Sequence, residues 1–579
     1  MSRSSESPAL RYEAEEQPPH LVSAALGFQV VLLIVAGIVL TPIIVLRAAD
    51  STHETMTWAV FAALLVSGLT TILQARPIGP IGAGYILFMG TSGAFIAVST
   101  TAVREGGLPL LATLVALSAL AQFAFSARLS LLRSFITPTV GGTIVMLIAV
   151  TVFPICFRML TSVPEHIDPA SVSGPVTAIS TFVVVLVVSL FTSGRVRLWG
   201  PLIGIVVGTF VGAPLGLVDL TPVREAAWIG VPSMGWPGLD LSFDERLWGL
   251  LPAFVIVTIV GAVETYGDAI AIQRVSARTR RPLEFRSVQG AVAADGLGNF
   301  LSGLAGTLPN TTYSTSISVV EITGVAARRV GVYGGILLMA LAFLPKISAL
   351  LQAVPDAVAG AFIFVLLVLL FAHGIRLAAE QGLTYENGFV VCISFWLGVG
   401  FQNQLIFHDH LPLWARNLLD NGMTSGGIAA MLLTLLLSFR HRSHDRLRLE
   451  PSAASISDLY AFLTRVATKA GWDKAAIDRL HLAGEEALMF LVDKEEKRAK
   501  PSPIRLSVRE EDGLLALEFA AGPGAENLEN LVAEIEESER SVEEQAALRI
   551  LGHLAVDLKH EQFHDRNYLA FRVESTPLG

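Results

Sequence analysis

The sequence predicts an all-α polytopic membrane protein of about fourteen transmembrane segments, built as two inverted halves of seven and followed by a small soluble α+β domain. Apolar runs of membrane-crossing length recur from residue 21 to residue 439. Two interruptions rich in Gly, Ser and Thr occupy corresponding places in the two halves. Composition then changes abruptly, because residues 450–579 hold 15 basic and 25 acidic residues whereas the rest hold 26 and 25. The net charge of −9 is therefore a near-neutral chain carrying an acidic tail. With 52% hydrophobic and 16% charged residues and a mean hydropathy of +0.59, against about 25% charged in average soluble domains, a soluble enzyme is excluded. Cys156 and Cys392 both lie in apolar runs, which excludes a disulfide framework or a Cys-rich metal site. The acidic balance excludes a nucleic-acid binder.

Residues 1–18 form an N-terminal tail. The first apolar run, 21–46, exceeds the ~7–15-residue core of a signal peptide, and no small-residue cleavage site follows, so it is expected to be a retained span. Runs of ~17–25 residues, enough for a ~30 Å hydrocarbon core, follow at 57–75, 108–127, 140–160, 175–194, 198–218, 250–273, 286–304, 327–344, 347–371, 386–404 and 422–439. The shorter segments 84–103 and 308–324 are the two interrupted spans. Gly90-Thr91-Ser92-Gly93 and Gly306-Thr307-Leu308-Pro309 lie 216 residues apart. Pro138-Thr139-Val140-Gly141-Gly142-Thr143 and Pro355-Asp356-Ala357-Val358-Ala359-Gly360 lie 217 apart. Seven spans per half make the second half enter from the opposite side, the inverted repeat of secondary transporters. Short cytoplasmic loops accumulate Lys and Arg, and with both termini cytoplasmic the inner loops hold 13 basic residues and the outer loops 7.

A helix broken in mid-membrane leaves backbone groups that lipid cannot satisfy. Paired interruptions, here 85–97 and 308–323, therefore mark a polar cavity faced by positive helix N-termini. The span at 250–273 adds Val263-Glu264-Thr265-Tyr266-Gly267-Asp268, two carboxylates four residues apart on one helical face. Carboxylates inside a membrane are costly and mark function. One of the two is expected to accept hydrogen bonds from a ligand's N–H groups while the other exchanges a proton, because burial raises a carboxylate pKa towards neutrality. The alternative sets Asp268 at the interface, paired with Arg274. Asp295, before Gly296-Leu297-Gly298-Asn299, suits an internal hydrogen bond at a tight helix crossing at least as well as transport. Gln29 suits an inter-helix bond as well as ligand contact. Glu321 and Asp356 are expected in solvated positions and His373 at the interface.

The stretch Gly306-Thr307-Leu308-Pro309-Asn310-Thr311-Thr312-Tyr313-Ser314, the two-carboxylate run, and Ala294-Asp295-Gly296-Leu297-Gly298 resemble the nucleobase/ascorbate transporter family of xanthine and uracil permeases, over roughly residues 19–440. The resemblance implies core and gate domains and an elevator-like movement of the core. It also implies nucleobase–proton symport across the inner (plasma) membrane, no cofactor beyond a coupling proton or sodium ion, and a homodimer. Position by position, Glu264 becomes the substrate-binding glutamate and Asp268 the ion-coupling residue. Gln29 falls at a polar position of the first span, with Val30 where a histidine often follows. Gly93 falls where members often place a pocket phenylalanine, with Phe95 two residues later. Where the family has Gln or Glu, Asn, any residue, Gly, four residues, Thr, this chain has Thr315-Ser316-Ile317-Ser318 and Thr323. Ser314, Thr315 and Ser316 remain as substrate-binding candidates, although a hydroxyl cannot form an amide's bidentate pair. A roomier pocket follows, and two further functions stay open: a receptor signalling through the tail, and an anion carrier of the sulfate-permease kind. Glu264 beside an anion argues against the second.

Residues 441–456 form a linker. Its start lies in a basic run, Arg440-His441-Arg442-Ser443-His444-Asp445-Arg446, which suits anionic inner-leaflet lipid. Residues 457–579 are expected to form helices at 458–470 and 474–491, then a hairpin of 504–509 and 514–519 about Glu511-Asp512-Gly513. Helices at 526–538 and 541–555 and a strand at 568–573 complete the tail. Leu482-Ala483-Gly484-Glu485-Glu486-Ala487-Leu488 with Gly522-Pro523-Gly524 resembles the GHKL ATPase fold of anti-sigma-factor serine kinases, over about 457–573. That family's Mg²⁺-holding Asn and adenine-binding Asp fall at Phe490 and Ala520, and its glycine-rich lid is absent from 541–552. The resemblance implies an ATPase-like domain without ATP binding that serves regulation, through a protein partner or dimer contacts. The chain is expected not to be an enzyme.

Overall fold

The computed structural model describes residues 10–127, 137–193, 195–278, 283–379, 382, 384–412, 419–440, 445–496, 501–511, 514–522, 551, 554–562 and 566–575. They form two compact units, the first built on residues up to 435, the second on 436–579 with two short stretches from earlier in the chain.

The first half of the helical unit comprises α1 (His20–Ala48), α2 (His53–Ala75), the short strand β1 (Met89–Thr91), α3 (Ile96–Ala127), α4 (Pro138–Leu160), α5 (Ser173–Phe191) and α6 (Gly200–Gly212). The second comprises α7 (Glu245–Val275), α8 (Phe285–Ala305), β2 (Asn310–Thr312), α9 (Thr315–Thr323), α10 (Arg328–Ala342), α11 (Pro345–Gln352), α12 (Asp356–Ala379), α13 (Tyr385–Gln402) and α14 (Gly422–Arg440). α3 breaks at Gly107, whose φ of 68° only glycine adopts freely. It thus supplies both a helix following β1 and a separate apolar helix, and the order of elements then repeats with α11 as the one addition. Among the described residues seven helices are long and apolar enough to cross a membrane, or eight if α10 and α11, bent by 83°, count as one span.

The spacing of the repeat differs from the sequence expectation at one landmark. The strands begin at Met89 and Asn310, 221 residues apart, and Gly306-Thr307 precedes the second strand instead of matching Gly90-Thr91. A three-residue strand is defined by its partner across the crossing, so composition misplaces it by five residues. Pro138 opens α4 and Pro355 immediately precedes α12, within a residue of correspondence.

Small residues set the helix crossings. A Cβ on Gly68 of α2 would lie 2.5 Å from the Gly335 carbonyl oxygen of α10, and one on Gly142 of α4 would lie 2.4 Å from the Ala378 nitrogen of α12. Gly398 of α13 meets Gly422 of α14 at 2.5 Å in the same way. After the bend, Arg47 at the end of α1 holds the linker between α11 and α12. Its guanidinium donates to the Gln352 and Val354 carbonyls and pairs with Asp356 at 2.5 Å. A cation there suits the negative C-terminal end of α11. Asp356, expected in a solvated position, is thus ion-paired and also accepts from the Ser162 hydroxyl.

Residues 10–18 run as a strap over the opposite end of α1. Arg11 and Tyr12 donate backbone N–H groups to Gly324, Ala326 donates to Tyr12, and Arg328 donates to Ala14. Arg278, just beyond α7, pairs with Glu16 at 2.6 Å, and its hydrogen bonds hold that carboxyl below the usual carboxylate range.

The second unit holds β3 (Asp445–Leu449), α15 (Ile456–Lys469), α16 (Lys474–Glu496), β4 (Ile504–Glu511), β5 (Leu514–Ala521), β6 (Val556–Gln562) and β7 (Asn567–Val573). The strands form an antiparallel sheet in the order β3-β4-β5-β7-β6. Alternate residues such as Leu515, Leu517, Phe519, Leu569 and Phe571 pack against Leu459, Leu463 and Leu480 of the helices. The two edge strands escaped sequence reading because their polar residues mask the period-two signal. β3 lies within the stretch expected as linker. The helices expected at 526–538 and 541–555 lie outside the described residues, apart from residues 551, 554 and 555.

Gly68→Val is expected to abolish the folded bundle, since backbone and not a flexible side chain meets the new Cβ. Gly388→Ala in α13, where a Cβ meets nothing within 4 Å, should be neutral or stabilise by up to about 1 kcal/mol. Monodisperse yield and thermal melting in detergent check both.

Candidate functional site

The two interrupted segments meet. β1 and β2 pair antiparallel, with Met89 opposite Thr312, Gly90 opposite Thr311 and Thr91 opposite Asn310. A 3₁₀ turn, Gly93–Phe95, leads from β1 into α3, and α9 starts three residues after β2. Two helix N-termini thus emerge from the crossing, each a source of partial positive charge. Gly90 permits the approach, because a Cβ there would lie 2.5 Å from the Tyr313 ring. Tyr313 donates its hydroxyl to the Thr91 carbonyl at 2.9 Å.

Side chains satisfy the remaining backbone donors. Ser316 accepts from the Phe88 N–H at 2.9 Å, Thr71 from Met89 at 3.0 Å, and Asn299 from Asn310 at 2.6 Å. Asn299 donates to Gln122 at 2.8 Å, Gln122 donates to Asp295 at 2.7 Å, and Asn310 donates to Thr70 at 2.9 Å. This buried network ties α8, α3, β2 and α2 together. Asp295 is fully buried within it, the internal hydrogen bond that was one of its two expected roles.

On α7 the two carboxylates differ in their partners. Asp268 is buried, and its two oxygens accept the hydroxyls of Thr312 and Ser314, each at 2.7 Å. These bonds to the interrupted segment stand where the sequence alternative had Arg274. Thr265 lies 3.3 Å from the Thr312 hydroxyl. Glu264 is half-buried and has no hydrogen bond to another described residue. The site thus offers one oriented carboxylate and one with its acceptors unused.

The other candidates divide. Ser314 is exposed but engaged with Asp268, and Ser316 is buried under Phe88. Thr315 between them and Gln29 on α1 are half-buried, and neither side chain has a hydrogen bond to a described residue. Gly93 is exposed, with open space where a Cβ would be. Phe95 is buried, its ring 6.0 Å from that of Phe254. Sequence reading missed Thr312, Thr71, Gln122 and Asn299. The available signal was an amide within an apolar run, at Gln122.

In the second unit Glu485 accepts from the Tyr460 hydroxyl, which pushes that phenol up to about 12. Phe490 packs edge-on against His560, ring centres 5.8 Å apart, so a ring fills the position where the kinase resemblance would need an Mg²⁺ ligand.

Residues 22–406 match the model of the Permease family, of the xanthine/uracil permease type. A chain of Clostridium perfringens (strain 13 / Type A) provisionally named a purine permease is 32% identical over 71% of this chain and 89% of its own length. Xanthine permease XanP of Escherichia coli (strain K12) is 26% identical over 74% of this chain and 94% of its own. Among solved structures, the murine Solute Carrier 26 family member A9 anion transporter in its inward-facing state aligns with a TM-score of 0.50 at 13% identity, over 75% of this chain and 70% of its own. That likeness is one of fold.

Ser316→Ala is expected to strand the buried Phe88 N–H and lower stability by about 1–3 kcal/mol, seen as a lower melting temperature. Thr315→Ala, which strands nothing, should melt as the parent does.

Proposed function

We propose, from the premise that this chain belongs to the nucleobase/ascorbate transporter family of xanthine and uracil permeases, that it carries a nucleobase-like solute across the membrane in symport with a proton. As a family member it is a multi-pass membrane transporter and not an enzyme. The observation that carries the proposal is the division of labour on α7. Glu264 keeps both oxygens free for the N–H edge of a solute at the crossing of the broken helices. Asp268 holds the β2–α9 segment through Thr312 and Ser314, so a proton on it would replace an acceptor by a donor and loosen that hold. Thr315 is the hydroxyl left to meet the solute's other edge.

The repeated order of elements supports fourteen spans, with the strand-bearing helices and their neighbours moving as a core against a gate of α4–α6 and α12–α14. The excess of basic residues in alternate loops supports cytoplasmic termini in a plasma membrane, and the family resemblance supports a homodimer. The second unit is proposed to be a regulatory, GHKL-like domain that binds no nucleotide.

Glu264→Gln should lower uptake of radiolabelled xanthine or uracil roughly tenfold to a hundredfold, the worth of a charged hydrogen bond; uptake within twofold of the parent would sink the assignment. Asp268→Asn should keep exchange of labelled for unlabelled solute in proteoliposomes and lose accumulation driven by an imposed pH gradient. Persistent proton-driven accumulation would remove Asp268 from the coupling step. Deleting 445–579 should leave uptake in place, whereas its loss would favour a receptor acting through the tail.

A further inference from the structure

Charge in the soluble unit is sorted by face. The strand register sets Arg446 beside Ser507, Ser507 beside Glu518, Glu518 beside Ala570, and Ala570 beside Lys559. The same face carries Arg448 beside Arg505 in one neighbouring row, and Arg509, Ala516 and Arg572 in the other. All six basic side chains are exposed. Glu511, Glu518 and Glu561 are the acidic residues at positions of this face among the described strands. The opposite face is apolar and covered by α15 and α16. A tail with a net charge of −10 thus keeps, among the described strands, a sheet face with three positive charges in excess.

That arrangement works against the sheet itself. Like charges directly opposite one another destabilise an antiparallel pair, yet Arg448 stands opposite Arg505. The face also begins close to lipid. Only residues 441–444 separate the end of α14 from β3, a step of at most about 18 Å, and basic groups are drawn to an anionic bilayer over about a Debye length.

We propose that the face of this sheet that no described helix covers docks on the anionic phospholipid headgroups of the membrane that α14 enters, through Arg446, Arg448, Arg505, Arg509, Lys559 and Arg572. The headgroups supply the counter-charge that Arg448 and Arg505 deny each other.

The test uses the full chain in nanodiscs of phosphatidylcholine alone or mixed with phosphatidylglycerol, with arginine modification by phenylglyoxal followed by mass spectrometry. Modification of Arg446, Arg448, Arg505, Arg509 and Arg572 should be about fivefold slower in the anionic disc, the effect of one basic contact with such a surface, and high salt should abolish the difference. Equal rates in the two discs would overturn the proposal. Slow rates in both would overturn it too, and would assign the face to the acidic stretch 526–544 of the chain itself. The double variant Arg448→Gln/Arg505→Gln should melt at or above the parent temperature while exposing Arg446, Arg509 and Arg572 in the anionic disc; unchanged protection would count against lipid docking. If that variant unfolds, Lys559→Gln at the opposite edge gives the same readout.

Discussion

Two helices broken inside an apolar bundle leave backbone donors and acceptors that only the protein can satisfy, and the first unit is organised around that requirement. The two breaks answer it together, as strands β1 and β2 pair with each other. What the pairing leaves over is taken by Ser316, Thr71 and Asn299, each bonded to a backbone N–H at the crossing. The density of small polar residues in 308–323 thus has a structural origin. Asp268 is drawn into the same arrangement by two hydroxyls of that segment, and Glu264, one helical turn away, is left unclaimed. The Glu264 acceptors are what remains at this crossing after the backbone has been satisfied.

The tight crossings fall into two groups. Gly68 and Gly27 lock α2 and α1 to α10, whereas Gly142 and Gly398 lock α4 to α12 and α13 to α14. Between the groups the chain turns through the bent α10–α11 junction, whose far end Arg47 grips. The strap reinforces the first group, since Glu16 and the backbone of residues 11–14 join the end of α7 to the α9–α10 turn. Backbone contact within each group and a bent connector between them is what the proposed movement of a core against a gate requires, because packed interfaces shift as bodies and do not deform smoothly.

Much of this was legible in the sequence, for reasons that can be named. Apolar runs gave the long helices, and Gly107 with Pro109 separated two of them as the break between 84–103 and 108–127 had suggested. The two carboxylates on α7 were visible because charge in an apolar run stands out against its surroundings. Which of them was free was not visible, as that depends on Thr312 and Ser314 arriving from a segment more than forty residues away. Ser316 and Thr315 are adjacent in sequence, and only the fold shows that the hydroxyl of one serves the backbone while that of the other has no partner among the described residues. The edge strands β3 and β6 stayed hidden because edge positions favour charge over alternation.

The same contrast between sum and arrangement governs the tail. Its net charge of −10 would have it repelled by an anionic membrane, yet that sum runs over faces of different sign. Tyr460 donates its hydroxyl to Glu485, and the Phe490 ring packs on His560. The strand register meanwhile gathers basic residues from four strands on to one face, and an interaction that decays within about 10 Å responds to that nearby face more than to the distant total.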